Sequence, residues 1–282
     1  LCLTFSGLYA QPQSIYYRAW VQTGGAMSED FVNRSASAIN SSHQTYVATS
    51  TLNSAASSTY GMLLSKYSSG GSLLWSVTYT LNTAGNVHVG DVAIDASGNV
   101  LVTGAAYNGS ANNYDLFVVK YSPSGTQQWS KTYNGAGNSY DGGAALVCDS
   151  NNDVFVTGAA WTSSTNVDVV TIRYNSSGTA QWTQTYNNAS LVDAGGTIAL
   201  QGSSVIITGP TQTALSTWEY VTLDYEKSNG TLNNYRVSNA GGTSIERANA
   251  VAFDASGNTY ITGALGATGQ GSISKPSNWM RT

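Results

Sequence analysis

Short apolar runs alternate with glycine- and serine-rich turns along most of the chain, and four such runs follow one another in one 43-residue stretch. These runs are residues 91–95, 99–104, 116–121 and 126–133. The first two are almost entirely apolar, which is typical of strands buried on both faces. The third alternates, with Phe117 and Val119 on one face and Leu116 and Val118 on the other. The fourth is the most polar, as expected for an outer edge strand.

This unit of four strands repeats. A strand ending in Thr-Gly recurs with its glycine at positions 104, 158, 209 and 263, and residues 45–50 form a degenerate first copy. The period is therefore about 51–55 residues. A helical solenoid would need a period of 3.6 residues in its apolar positions, which the sequence lacks. Apolarity that declines from the first strand to the fourth, repeated at this period, predicts an all-β fold: a β-propeller of four-stranded antiparallel blades.

The number of blades can be predicted by counting the repeated motifs. Five Thr-Gly-type strands are present, but only four hairpins carry the Lys/Arg-Tyr pair that opens the second half of the repeat. Residues 15–21 resemble an orphan fourth strand, and residues 248–264 supply the first two strands of a last blade. We therefore expect about five blades, four complete and one shared or partial. Either the N-terminal strand closes a five-bladed ring, or the chain is a fragment of a larger propeller, which the abrupt C-terminus favours.

The N-terminus resembles the tail of a secretory signal peptide. Residues 1–10 are apolar and end in small residues, with a plausible cleavage point after Ala10. A buried first strand is the alternative interpretation of the same residues. The propeller domain is then predicted over residues 11–282, in a protein that is secreted or belongs to the bacterial cell envelope. No segment has the run of about 20 apolar residues that a membrane helix needs.

A second motif recurs with the same period as the Thr-Gly strand. A Gly is followed four residues later by Trp in three repeats, at Gly71/Trp75, Gly125/Trp129 and Gly178/Trp182, whereas the fourth repeat has Asn234 and Tyr235 there. We interpret Trp75, Trp129 and Trp182 as residues that dock one blade on its neighbour, because an indole can bury about 150–250 Å². Sugar-stacking platforms are the alternative.

These motifs resemble a known family. The pattern D-x-S-G-N-x-(Y/L)-(V/I)-T-G followed by (K/R)-Y-x-x-S-G-x-x-x-W is similar to the bacterial β-propeller repeat called SBBP. Its first half resembles NHL repeats, and its second half resembles the tryptophan-docking turn of quinoprotein propellers. The resemblance covers nearly all of residues 15–264. It implies a propeller fold and a secreted or envelope protein of bacteria, and it implies little about activity.

Composition narrows the choice of partners. Only 9% of the residues are charged, and the net charge is −4 with 11 Lys and Arg residues, so the chain has no basic surface for nucleic acid. The polar residues are mainly Ser, Thr, Asn and Tyr. We expect a monomer whose partner is a protein or a polysaccharide at the cell surface, with no nucleic acid and no membrane span.

Acidic residues recur near the start of the predicted inner strands, at Asp141, Asp193 and Glu246. Equivalent positions in a ring converge on one mouth of the channel, so these acids could attract a cation or a polar ligand. Alternatively, each carboxylate accepts hydrogen bonds from loop N–H groups and fixes the crossover between blades. The irregular fourth repeat adds Trp218 and Arg247 to this candidate ligand-binding set.

One turn has the spacing of a calcium loop. Asp149, Asn151 and Asp153 follow the pattern D-x-N-x-D, but the central Gly and distal Glu of an EF-hand loop are missing. A tight turn held by Asx side chains accounts for the same residues. Ca²⁺ is therefore a possible ligand here, and no other cofactor is expected.

The sequence predicts no catalytic residue. The two histidines, His43 and His88, lie near no nucleophile motif and have no metal-ligand spacing. The expected function is that of a non-catalytic binding or scaffold module. The alternative is a glycan-active enzyme, which would need two accessible carboxyl groups about 5–10 Å apart at the channel mouth.

Overall fold

The protein is all-β. The computed structural model describes residues 35–52, 60–81, 85–109, 113–163, 165–188, 191–214, 217–238, 245–267 and 270–273. These residues form nineteen strands and no helix. In particular, no helix long and apolar enough to cross a membrane occurs in the part of the chain described.

Consecutive strands pair with each other in antiparallel sheets, one sheet for each repeat. Blade 1 contains β1 (Ser35–Ile39), β2 (Thr45–Leu52), β3 (Tyr60–Tyr67) and β4 (Leu73–Tyr79). Blade 2 contains β5 (Val87–Ile94), β6 (Val100–Tyr107), β7 (Tyr114–Tyr121) and β8 (Gln127–Tyr133). Blade 3 contains β9 (Gly142–Cys148), β10 (Val154–Trp161), β11 (Val167–Tyr174) and β12 (Ala180–Tyr186).

Blade 4 contains β13 (Thr197–Gln201), β14 (Ser204–Ala214), β15 (Thr217–Glu226) and β16 (Leu232–Val237). A fifth, shorter sheet follows, with β17 (Ile245–Phe253), β18 (Thr259–Ala267) and β19 (Gln270–Ile273). One parallel bridge, from Trp218 to Ile245, joins it to blade 4. The predicted propeller of four complete blades and one partial blade is confirmed. The predicted signal peptide and the orphan strand at residues 15–21 lie outside the described residues.

The hydrophobic core lies between the blades. Phe117 and Val119 of β7 pack against blade 1, in a cluster with Met62 and Leu64. Their neighbours on the same strand, Leu116 and Val118, face the opposite way and pack in a separate cluster with blade 3. Because successive side chains of a strand point to opposite faces, one strand supplies two interfaces.

The prediction that the first two strands of a repeat are both buried on both faces is wrong for the first strand. The second and third strands, such as β6 and β7, are buried along almost their whole length. The first strand, such as β5, is only half-buried, and the fourth, such as β8, is largely exposed. The middle strands have a blade on each side, whereas one edge of the inner strand faces the propeller axis.

The glycine of the Thr-Gly strand is required by a close approach of backbones. A Cβ on Gly104 would collide with the carbonyl oxygen of His88 on the adjacent inner strand. Gly158 and Gly209 have the same relation to the carbonyls of Gly142 and Ala194. The pairing register shifts at this level in blades 2 and 3, as in a β-bulge. The repeated glycine therefore serves the fold.

Each docking tryptophan binds the hairpin turn of the next blade. Trp129 Nε1 donates to the carbonyl of Ser176 at 3.1 Å, and its ring lies over Gly178. Trp75 donates to a carbonyl of blade 2 at 3.0 Å, and Trp182 donates to one of blade 4 at 3.1 Å. We call the glycine beneath each indole a docking glycine. The docking glycines are Gly125 for Trp75, Gly178 for Trp129 and Gly230 for Trp182.

A cation accompanies each indole. Lys66, Lys120 and Arg173 lie directly opposite the three tryptophans on the neighbouring strand. Each donates to a backbone carbonyl of the same turn of the next blade, at 2.7–3.4 Å. Indole and cation thus form one contact unit, directed from each blade to the following blade. In blade 4 the corresponding cross-strand pair is Asp224 and Asn234, so both halves of the unit are replaced together.

We predict that a methyl group on a docking glycine is more destabilising than one on a positive-φ turn glycine that no indole covers. Gly178 has a φ of 80°, and a Cβ there would lie 2.8 Å from the Trp129 ring. Gly98 has a φ of 79°, but its Cβ would make only an ordinary 3.7 Å contact. Gly178→Ala should therefore lower the free energy of unfolding by about 1–3 kcal/mol more than Gly98→Ala, as measured by urea denaturation. Equal effects would mean that the indole contact contributes nothing.

Candidate functional site

The two ends of the strands form two different faces. The turn face carries the tight turns between the first and second strands and between the third and fourth. The crossover face carries the loops between the second and third strands and the crossovers into the next blade. The sequence-predicted acids Asp141, Asp193 and Glu246 belong to the crossover face. Each follows a residue that forms a parallel bridge with the start of the third strand of the preceding blade.

Two of these acids are committed to backbone and loop contacts. Asp141 is fully buried and accepts hydrogen bonds from the N–H groups of Gly135 and Trp161, the latter at 2.7 Å. Asp193 is also fully buried and accepts from the N–H of Asn188 at 2.6 Å and from the hydroxyl of Thr211. Both carboxylates therefore fix a crossover. The side chains of Glu246 and Arg247, on β17, lie outside the described residues.

Burial also changes the protonation of these groups. Desolvation raises the pKa of Asp141 to about 6, although the N–H groups of Gly135 and Trp161 act in the opposite direction. Burial likewise raises the pKa of Asp193, while its bonds to Asn188 and Thr211 oppose the shift. These pKa shifts arise from burial inside a loop, so they do not by themselves indicate catalysis.

A third acid, Asp91, was missed by the sequence analysis. It lies at the bulge of the inner strand β5 and accepts a hydrogen bond from the N–H of Leu146, on the inner strand of blade 3, at 3.0 Å. Desolvation raises its pKa to about 6. The equivalent positions of the other blades are not acidic, so the repeat gave no signal for it. Asp91 joins two inner strands near the propeller axis.

The candidate calcium turn is held by its own side chains. Asp149 accepts from the N–H groups of Asn151 and Asp153 at 2.8 and 3.0 Å. Its other oxygen pairs with Lys227 at 3.3 Å, and Asp153 pairs with Arg173 at 2.6 Å. The sister turns beginning at Asp95 and Asp254 make the same Asx bonds. Among the described residues no group of three or more His, Cys, Asp or Glu could hold a metal ion.

An aromatic cluster occupies the crossover face between blades 2 and 3. The ring of Tyr114 lies 5.6 Å from that of Tyr107, 5.0 Å from that of Tyr140 and 5.3 Å from that of His88. All four side chains are half-buried. We call these residues the tyrosine cluster. The sequence analysis missed it because its members come from four different segments of the chain.

Polar groups border the tyrosine cluster. Asp115, which follows Tyr114, is buried and accepts a hydrogen bond from the Asn108 side chain at 2.9 Å. Desolvation raises the pKa of Asp115. The sequence-predicted Trp218 lies at the position of blade 4 that corresponds to Tyr114, since each is bridged to the following crossover. It is half-buried and lies two blades away, so the structure does not place it in the cluster.

The irregularity of blade 4 includes the two positions of the docking contact. Asp224 and Asn234 stand where the other blades direct a cation and an indole to the next hairpin. Blade 4 therefore lacks both the cation and the indole of the contact unit that blades 1 to 3 carry at these positions.

Comparison with solved structures supports the fold. A PL25 ulvan lyase bound to a sugar fragment matches with a TM-score of 0.53 at 10% identity, over 86% of this chain and 66% of that chain. The polysaccharide lyase Uly1 matches with a TM-score of 0.49 at 10% identity, over 85% of this chain and 56% of that chain. An α-L-arabinofuranosidase from Clostridium thermocellum matches with a TM-score of 0.43 at 10% identity, over 90% and 96%.

The structural neighbours are β-propeller proteins, and at 10% identity the likeness to the ulvan lyase, with its TM-score of 0.53, supports the propeller fold alone. The chain spans about two thirds or less of the length of the two lyases. No protein-family model matches the chain, so the SBBP assignment itself stays a resemblance. No curated protein sequence matches it either.

We predict that the protein is more stable at pH 5 than at pH 8. Asp91 and Asp141 have folded-state pKa values of about 6, above the usual value of 3.8. The folded state therefore binds protons more tightly than the unfolded state, and the free energy of unfolding rises as the pH falls through 6. Urea midpoints measured from pH 5 to 8 test this. Asp91→Asn removes one titrating group and should flatten the profile; an unchanged slope would contradict the assignment.

Proposed function

We propose that this propeller is a non-catalytic binding module, secreted or held in the bacterial cell envelope, and that the tyrosine cluster binds polysaccharide. The main support for this proposal is that four aromatic side chains converge at one position of the crossover face: Tyr107, Tyr114, Tyr140 and His88. Aromatic rings combine a flat apolar face with a polar edge. That combination suits a sugar ring, which has an apolar C–H face and a rim of hydroxyl groups.

The surroundings of the cluster support this ligand class. Each ring is half-buried, so neighbouring rings fix its orientation while part of its surface stays accessible. Rigid aromatic side chains lose little conformational entropy on binding. Asn108 follows Tyr107 and is half-buried, so its side-chain amide, which donates to Asp115, offers a polar group beside the rings. The low overall charge favours an uncharged or weakly charged ligand over nucleic acid.

The enzyme alternative has less support. A glycan hydrolase needs two carboxyl groups that the substrate can reach. Asp141 and Asp193 have no exposed surface, and their oxygens already accept hydrogen bonds. If Asp141 and Asp193 are excluded as catalytic groups, Glu246 is the one candidate acid that remains, whereas this type of hydrolase needs two. A non-catalytic role therefore accounts for more of the geometry, and the resemblance to SBBP repeats agrees with a scaffold of this kind.

We predict that truncating either Tyr114 or Tyr140 weakens polysaccharide retention. Affinity electrophoresis through gels containing neutral or uronic-acid polysaccharides would identify the ligand. Tyr114→Ala and Tyr140→Ala should each weaken retention about tenfold, because each removes a stacking ring. Tyr114→Phe keeps the ring and should retain most of the affinity. Tyr235→Ala is the matched control, since Tyr235 is 55% exposed on the outer strand of blade 4.

Three outcomes would contradict this function. Retention that survives both alanine substitutions in a folded protein would place the ligand elsewhere. Retention of none of the polysaccharides, with capture of a protein partner instead, would favour a protein-binding scaffold. Shortening of the polysaccharide during incubation, lost in Asp141→Asn, would favour the glycan-active enzyme.

A further inference from the structure

Each of the four complete blades has an aromatic side chain at the position that holds the tyrosine cluster in blade 2. That position is a cross-strand pair of the second and third strands at the crossover face, Tyr107 and Tyr114 in blade 2. The corresponding pairs contain Tyr60 in blade 1, Trp161 in blade 3 and Trp218 in blade 4. All of these side chains are half-buried. We call Tyr60, Trp161 and Trp218, together with the tyrosine cluster, the aromatic row.

The fold does not require an aromatic ring at either residue of this pair. Blade 3 has Val167 opposite Trp161, and blade 4 has Gln212 opposite Trp218, so each strand accepts an aliphatic or a polar side chain there. The docking tryptophans, by contrast, recur with the same identity on the same strand. A ring that changes identity and strand, yet occurs in every complete blade, indicates a common ligand rather than a common packing role.

A single crossover residue connects the row positions of blades 1 and 2. The side-chain oxygen of Asn86 accepts a hydrogen bond from the N–H of Tyr60 at 2.9 Å. The backbone carbonyl of Asn86 accepts from the N–H of Tyr107, also at 2.9 Å. Tyr60 therefore borders the tyrosine cluster on the side of blade 1.

The crossovers into blades 3 and 4 make equivalent connections. Asp141 donates its N–H to the carbonyl of Tyr114 and accepts from the N–H of Trp161 through its carboxylate, both at 2.7 Å. Val192, which is bridged to the third strand of blade 3, accepts from the N–H of Gln212 in the row position of blade 4 at 2.9 Å. The row is thus continuous from blade 1 to blade 4, and backbone hydrogen bonds fix its positions before any ligand binds.

The length of the row suits an extended ligand. Stacked sheets pack about 10 Å apart, so four successive row positions span about 30 Å. This span exceeds a single sugar ring or a disaccharide and accommodates several consecutive sugar residues of one chain. Each aromatic face can stack on the apolar C–H face of one sugar ring. A chain that reaches several subsites also binds more tightly than one that reaches a single subsite, because every contact after the first is intramolecular.

We propose that the aromatic row binds one linear polysaccharide chain lengthwise. The tyrosine cluster is the central subsite, and Tyr60, Trp161 and Trp218 are further subsites along the crossover face. This inference rests on the proposed function of the tyrosine cluster and adds the form of the ligand, which is a stretch of several sugar residues in a linear chain. A short oligosaccharide fills one subsite and binds weakly.

Affinity electrophoresis with two polymers provides the first test. The probes are hydroxyethylcellulose, a neutral glucan, and alginate, a polymer of uronic acids. Tyr60→Ala and Trp161→Ala should each weaken retention by the polymer that retains the unaltered protein about tenfold, because each removes one subsite. Gln212→Tyr places a second ring opposite Trp218, as in the pair of blade 2, and should strengthen retention. A gain in retention cannot result from misfolding.

Chain length provides the second test. In calorimetry, a hexasaccharide of the retained polymer should bind at least about tenfold more tightly than its disaccharide. Tyr235→Ala is the matched control, because Tyr235 is 55% exposed on the outer strand of blade 4, away from the crossover face, and it should alter neither affinity. Urea midpoints check that every variant is folded.

The outcomes separate this inference from the function on which it rests. Retention that is lost in Tyr114→Ala but unchanged in both Tyr60→Ala and Trp161→Ala would leave the tyrosine cluster as the site and overturn the row. Equal affinities for the hexasaccharide and the disaccharide would overturn it as well. Retention by neither polymer would overturn both the proposed function and the row.

Discussion

The contact between an indole and a glycine with positive φ determines how this molecule is assembled. Each of blades 1 to 3 directs one tryptophan to the hairpin of the next blade, where only glycine leaves room for the ring. The indole N–H and a neighbouring Lys or Arg then bind carbonyls of the same turn. Apolar burial between blades is non-directional. The docking contact adds direction and register, so neighbouring blades meet at a fixed offset.

This contact also explains which parts of the repeat cannot vary. The turn face carries the docking glycines and the carbonyls that receive the indoles, and it carries the Asx turns as well. Asp95 shows the connection: it holds its own turn through the N–H groups of Ser97 and Asn99 and also pairs with the buried Lys120 at 2.7 Å. A substitution there would disturb both a turn and a blade interface. Regularity on this face is therefore a requirement of folding.

The sequence predicts the repeating part of the structure well and the unique part poorly. The blades, the Thr-Gly strands and the docking tryptophans recur, so several copies support each inference. The tyrosine cluster occurs once: Tyr107 and Tyr114 pair across two strands of blade 2, and the crossover into blade 3 brings Tyr140 beside them. Asp91 likewise has no acidic equivalent in the other blades. The orientation of Asp141 was open in the sequence, because an acid at a crossover can point to the channel or to its own loop, and only the local hydrogen-bond donors decide.

The two faces of the propeller therefore differ in how far their side chains are fixed by the fold. The turn face is occupied by contacts that hold blades together, whereas the loops of the crossover face need only a carboxylate such as Asp141 or Asp193 to stay closed. Side chains next to those carboxylates are free to differ between blades. Blade 2 has Tyr107 and Tyr114 where blade 4 has Gln212 and Trp218. A ligand site can therefore arise on the crossover face without weakening the propeller, and the tyrosine cluster lies where such variation is least costly.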